Sequence, residues 1–349
     1  MLSQSAKPVK SLPTFTSWTD IVNRAIAAET DRHTAPCNLP TDDDRKRRNK
    51  RKADSDESRE ENKKKKKRGT TSVDSGQTNS RAEFEAKYKE LGPLGEGGFG
   101  SVHRGYRRND DFPVAIKHIP REKVFRTTVI QNGKTCDLPL EVVLLMKVAA
   151  GPGSVGQTAA VALLDWYDLD QELILVLERP SPCMDLSDYL NASGGFLQER
   201  EAKILMRQLV DAFVEIHAKG VLHRDIKLEN LLVETDGPRF RVIDFGCGCI
   251  LTEGNYTTCW GTRLYIPPEW YEHQSYRAEP FTVWQLGVVL YIMVTGFFPF
   301  YVTSEILLCN PEISNQLSQH CQDLLRKCLA KCPDSRPTLE ELQFHPWLQ

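Results

Sequence analysis

In His223-Arg-Asp-Ile-Lys-Leu-Glu-Asn230 a carboxylate (Asp225), an ammonium (Lys227) and an amide (Asn230) lie within six residues of one another. Asp244-Phe-Gly246 follows after an apolar stretch. Carboxylate and amide oxygens are the donors that a hard cation such as Mg²⁺ takes. Upstream, Leu94-Gly-Glu-Gly-Gly-Phe-Gly-Ser-Val102 holds a GxGxxG pattern at Gly95, Gly97 and Gly100. Glycines let a backbone bend sharply and approach phosphates with no Cβ in the way. Alone, the pattern also fits an ordinary turn or a dinucleotide site. A dinucleotide site should open a helix here, whereas Ser-Val-His-Arg-Gly-Tyr106 reads as a strand. Lys117 closes the apolar run Val114-Ala-Ile116, and Glu141 heads Glu-Val-Val-Leu-Leu-Met-Lys-Val148. A solvated strand edge and a surface carboxylate are the bland readings of those two.

In this order and spacing the motifs resemble those of protein kinases, and the resemblance assigns roles. Leu94, Gly95, Glu96, Gly97, Gly98, Phe99, Gly100, Ser101 and Val102 cover the nucleotide, with Ala115, Glu178, Asp185 and Leu232 lining its cleft. Lys117 pairs with the α- and β-phosphates and is held by Glu141. Asp225 accepts or orients the proton of the attacking hydroxyl, and Asn230 and Asp244 hold Mg²⁺. Lys227 neutralises the transferring phosphoryl group, a residue that marks serine/threonine rather than tyrosine kinases. ATP and Mg²⁺ are the implied cofactors. Pro267-Pro-Glu269 stands where kinases carry Ala-Pro-Glu, and Arg336 is placed to pair with Glu269. Phe245, His223 and Leu145 read as packing residues rather than chemistry.

Elements must hold these groups. Val114–Ile116 and Leu173–Leu177 read as buried strands. Leu205, Leu209, Ala212, Phe213 and Ile216 share one face of a long helix. Strands dominate before about residue 180 and helices after it, which argues α+β: a bilobal kinase fold with a small β-rich lobe and a larger helical one. The expected domain covers 83–349, with an N-lobe to about 178, a hinge to about 185 and a C-lobe beyond. No run of 18 apolar residues occurs, so no membrane span is expected.

Residues 1–82 read as a disordered tail, too polar to offset the entropy of ordering. Between 45 and 68 it holds fourteen Lys/Arg and five Asp/Glu, a net +9, so the net −2 of the chain leaves −11 elsewhere. Clusters ending at Lys52 and starting at Lys63 fit a bipartite nuclear address read by an import receptor. Nucleus and cytoplasm are therefore the expected locations. The absence of interleaved aromatic residues disfavours direct nucleic-acid binding. Ser58 between the clusters could take a phosphate that weakens import. Residues 15–28 fall near helical spacing, either as a partner-binding helix or as a transient one without a role. The ten cysteines show no paired CxxC units and read as reduced thiols.

At Leu177-Glu-Arg-Pro-Ser-Pro182 the chain resembles the Pim kinases, whose hinge carries Glu-Arg-Pro-x-Pro. Glu141-Val-Val-Leu-Leu145, Leu163-Leu-Asp-Trp166, Val221-Leu-His-Arg-Asp-Ile-Lys227 and Pro267-Pro-Glu-Trp270 extend the likeness from about Tyr88 to Trp347. Proline has no N–H. With Pro180 in the donor's place, only the Glu178 carbonyl bonds the adenine amine, and Leu94, Val102, Ala115, Leu232 and Ile243 hold the ring. The resemblance further implies a monomeric enzyme in growth or survival signalling. Its protein substrates carry Arg or Lys before the acceptor, met by Glu229, Asp185 and Asp188. Leu228 and Phe297 stand where the family has carboxylates, so fewer arginines are read.

A pseudokinase scaffold would lack Lys117, Asp225, Asn230 or Asp244, and all four are present. Thr282 replaces the aspartate of most kinases, as it is also replaced in active Pim relatives. Thr71, with Arg68 and Lys66 before it, is an expected self-phosphorylation site. The stretch Asn255–Thr262 has no carboxylate, so Arg224 is expected either to await a phosphate on Thr258 or to be satisfied by Glu253 or solvent.

Overall fold

The computed structural model describes Ser80–Gln349 apart from Phe99, Asn132, Gly133, Ala150 and Pro238. The basic clusters, Ser58, Thr71 and residues 15–28 lie outside the described residues. The described residues open on a helix. Ser80 and Glu83 form a capping box, each side chain bonding the other's backbone N–H, and this starts α1 (Arg81–Lys87). Phe84 of α1 packs with Tyr88, Val114, Ile116, Tyr167, Ile174 and Val176, covering one face of the N-lobe sheet.

That sheet runs β1-β2-β3-β7-β6, all antiparallel. Its strands are β1 (Tyr88–Gly97), β2 (Gly100–Arg107), β3 (Phe112–Pro120), β6 (Leu163–Asp168) and β7 (Glu172–Glu178). A separate hairpin, β4 (Arg126–Gln131) with β5 (Lys134–Pro139), leads into α2 (Leu140–Val148). The period-2 side-chain alternation of β3 puts Val114 and Ile116 into the α1-covered core, and turns Ala115 and Lys117 to the opposite face.

After the hinge, β8 (Cys183–Asp185) pairs with β9 (Leu231–Glu234), which pairs with β10 (Arg239–Val242). Helices α3 (Leu186–Ala192), α4 (Glu199–Ala218), α5 (Pro268–His273) and α6 (Ala278–Thr295) follow, with shorter helices to the C-terminus. Leu205, Leu209, Ala212, Phe213 and Ile216 of α4 are all buried, as their spacing requires. One large apolar cluster joins α2, α4 and α6.

Helix α6 is apolar without being an unbroken apolar run. Glu279, Thr282 and Gln285 interrupt any apolar run, yet over its 18 residues the mean hydropathy is 1.3, long and apolar enough to cross a membrane. Here 83% of it is buried in the C-lobe, as the central core helix.

Candidate active site

The glycine-rich hairpin closes with Gly97 opposite Gly100 and Gly95 opposite Val102. A Cβ at Gly95, Gly97 or Gly98 would meet no protein atom within 4 Å, which leaves that backbone open to a ligand. Gly100 is different: a Cβ there would lie 1.8 Å from the His118 carbonyl, so its glycine is demanded by the sheet itself. Lys123 Nζ donates to the Gly98 carbonyl at 2.9 Å. Leu94 is exposed, and Val102, Ala115, Leu232 and Ile243 are half-buried, unlike the sealed core beside them. Val102 lies opposite Lys117 on β3, and Leu232 lies opposite Asp185 on β8.

At the hinge the Glu178 carboxylate forms a buried bidentate pair with Arg241, 2.9 and 2.5 Å, and accepts from the Gly156 and Ala162 amides. Sequence reasoning used only the Glu178 carbonyl and missed this anchor. An arginine between two apolar residues, Phe240-Arg241-Val242, was its one visible sign.

Lys117 Nζ sits 2.6 Å from Glu141 Oε1 and 2.8 Å from Asp244 Oδ1. Burial alone would drive this amine neutral, but the two carboxylates outweigh it and hold it charged, its pKa raised. Burial likewise pushes Asp244 up, and Lys117 with the Gly246 amide more than reverses it, leaving the carboxyl below its usual range. Burial pulls Glu141 towards its neutral form, with Lys117 opposing. At 2.6 Å from a charged amine we read it as the ionised partner. The solvated-edge and surface readings of Lys117 and Glu141 are thereby replaced by a buried ion pair between β3 and α2.

Asp225 is buried and fully engaged. Its Oδ1 accepts from the amide and hydroxyl of Thr262 at 2.9 and 2.8 Å. Its Oδ2 lies 3.2 Å from Asn230 Nδ2 and 3.1 Å from Lys227 Nζ. Thr262, also 3.2 Å from Lys227 Nζ, went unassigned from sequence, where only a Gly–Thr pair marked it. Asn230 Nδ2 also donates to the Asp225 carbonyl, which leaves its Oδ1 as a ligand oxygen. With Asp244 this is an all-oxygen donor set that fits Mg²⁺. Arg224 and Asp244 have φ of 69° and 63°, left-handed conformations that non-glycine residues hold only under constraint.

Arg224 is hydrogen-bonded to backbone on the far side of the Asp244–Gly246 turn. Its Nε donates to the Cys247 carbonyl at 2.6 Å and its Nη2 to the Gly248 carbonyl at 3.1 Å. Its guanidinium also bonds the Tyr276 hydroxyl, which itself donates to the Thr258 carbonyl at 3.0 Å. Carbonyls and a phenol surround the guanidinium, and Thr258 is tied in through its backbone. Around this point Tyr276 packs against Tyr256, Trp270 and Phe281, while Trp260 meets Phe125 of the N-lobe edge-on at 5.0 Å. The remaining structural assignments hold. Arg336 grips Glu269 through two bonds of 2.8 and 2.7 Å, and the His223 and Phe245 rings pack 4.9 Å apart.

Around the cleft mouth, Asp185 caps α3 by accepting from the Asp188 amide at 2.9 Å. Helix α3 packs against the turn Leu228–Asn230 that carries Glu229. Asp188 and Glu229 are exposed, Leu228 is buried and Phe297 is exposed.

Residues 88–348 match the protein kinase domain family. The chain is 40% identical over 272 residues to serine/threonine-protein kinase pim-2 of Danio rerio, covering 77% of this chain and 87% of that protein. It is 36% identical over 274 residues to serine/threonine-protein kinase prk-2 of Caenorhabditis elegans, covering 77% of this chain and 59% of that one. With the Lys117–Glu141 pair formed and Asp225, Asn230 and Asp244 assembled at one cleft, this chain belongs to the protein kinase family, as a Pim-like serine/threonine kinase.

Proposed function

We propose that this kinase transfers the γ-phosphate of ATP to serine or threonine residues preceded by Arg or Lys. Asp185, Asp188 and Glu229 carry the reading: they border the cleft on adjacent elements, and none is in a salt bridge with a described residue. Exposed carboxylates such as Asp188 and Glu229 beside a catalytic loop favour cationic peptides in both rate and register, while Asp185 also caps α3. Lys117 binds the ATP phosphates, and Asn230 and Asp244 hold the Mg²⁺ that offsets their charge. Asp225 takes the proton from the attacking hydroxyl, and Lys227, kept charged by Asp225 against the pull of burial, faces the transferring group. Leu228, buried, and Phe297, apolar, offer no charge, so fewer basic positions are read than carboxylates at those two places would allow. Action in growth or survival signalling, nuclear import through the two basic clusters, and phosphorylation at Thr71 and Thr258 belong to the same proposal.

The test is a positional peptide array phosphorylated by the purified full chain, with Lys117→Met as the inactive control. Arg or Lys upstream of the acceptor should raise the rate. Asp188→Ala and Glu229→Ala should each raise KM for basic peptides about tenfold, the loss of one ion pair of moderate strength, while peptides without basic residues are unaffected. Equal phosphorylation of basic and neutral peptides by the wild type would overturn the specificity.

A further inference from the structure

The side-chain amide of Gln285, fully buried in α6, reaches both sides of the catalytic aspartate. Its Nε2 donates to the Arg224 carbonyl at 3.0 Å, and its Oε1 accepts from the Ile226 N–H at 3.4 Å. These two backbone groups flank Asp225 in sequence. Turning the amide over would set donor against donor and acceptor against acceptor, so its orientation is dictated by its partners.

The backbone it grips is under constraint. Arg224 is left-handed, and its carbonyl comes so near the activation segment that a Cβ on Gly261 would lie 2.5 Å away. A left-handed non-glycine residue persists only where its surroundings over-determine it. Thr282, one helical turn before Gln285 and at the position where most kinases have aspartate, is turned elsewhere, its hydroxyl 3.0 Å from His217 Nε2. Of these two polar side chains of α6, it is Gln285 that bonds the backbone around Asp225. A single side chain carrying both a donor and an acceptor, long enough to reach from α6, meets both needs.

We infer that Gln285 is a positioning residue for phosphoryl transfer. It fixes the Arg224–Ile226 backbone and so aims the Asp225 carboxylate at the incoming hydroxyl. The inference rests on the reading of Asp225 as proton acceptor. Gln285→Met keeps the length and apolar packing of the side chain and removes both bonds; Gln285→Ala is the second variant. Thr282→Val, which breaks only the bond to His217, is the control on the same helix face.

Each protein is titrated with a fluorescent ATP analogue to count nucleotide-competent sites, and kcat is expressed per competent site. For both Gln285 variants kcat per site should fall at least tenfold, roughly what two lost hydrogen bonds to a reacting loop produce. Nucleotide Kd should stay within about twofold, since the phosphate-binding groups are untouched. Thr282→Val should keep wild-type kcat per site. If activity falls only in step with the number of competent sites, Gln285 is merely structural and the inference is overturned. An equal fall in Thr282→Val, or wild-type kcat in Gln285→Met, overturns it too. Wild-type protein that binds nucleotide but phosphorylates nothing would instead overturn the reading of Asp225.

Discussion

His217 of α4 shows how one side chain ties stability to pH. It is half-buried, with its ring 3.0 Å from the Thr282 hydroxyl, and burial pushes its pKa down to about 4. An unfolded imidazole titrates near 6.5. Between those values the unfolded chain binds a proton that the folded chain refuses, so stability is full above about pH 6.5 and drains as the pH falls towards 4. His223, also pushed down by burial, acts in the same direction. The difference between wild type and His217→Gln therefore isolates His217. Urea midpoints at pH 7 and pH 5 should show wild type losing roughly 2 kcal/mol more than the variant, at about 1.4 kcal/mol per pH unit below 6.5. Parallel losses would mean that this imidazole stays solvated.

At the scale of elements, the Glu269–Arg336 pair joins the start of α5 to the turn Pro333–Ser335. Arg336 also donates to the carbonyls of Ala330, Lys331 and Pro280 and stacks over Trp284 at 4.9 Å. Arg336→Ala would strand Glu269 and three carbonyls in a dry site. A destabilisation of about 3–5 kcal/mol is expected in denaturant unfolding, the range for a broken buried pair. This brace was legible in the sequence, as were β3, β7, α4 and the motifs they carry. The elements are announced by periodicity and the motifs by fixed local spacing, whereas the brace, between residues 67 apart, was expected from the resemblance to kinases. Contacts made across long separations by unremarkable residues were not. Gln285 to Arg224, Glu178 to Arg241 and Thr262 to Asp225 each depend on where an element docks, which no local pattern records. The bonds that Arg224 makes were invisible for the same reason. A search for a carboxylate nearby in sequence could not see that backbone carbonyls of Cys247 and Gly248 would curl around the guanidinium.

Across the whole molecule, one apolar cluster runs through α2 of the N-lobe and α4 and α6 of the C-lobe, and the Lys117–Asp244 contact crosses the cleft above it. The activation segment is fastened to this body by rings and carbonyls: Tyr256, Trp270, Tyr276 and Phe281 on one side, Trp260 against Phe125 on the other, and Arg224 among backbone oxygens. A segment held by a solvent-facing ion pair loosens as added electrolyte shortens the Debye length from about 10 Å at 0.1 M to about 3 Å at 1 M. This fastening offers dissolved ions little to screen, and its apolar share weakens on cooling. Limited proteolysis between Asp244 and Glu269 should proceed at the same rate in dilute and concentrated sodium chloride, and cleavage that quickens with salt would show that an ion pair does the holding. In a saline cell or a cold one, temperature rather than ionic strength would then set how often this segment lets go.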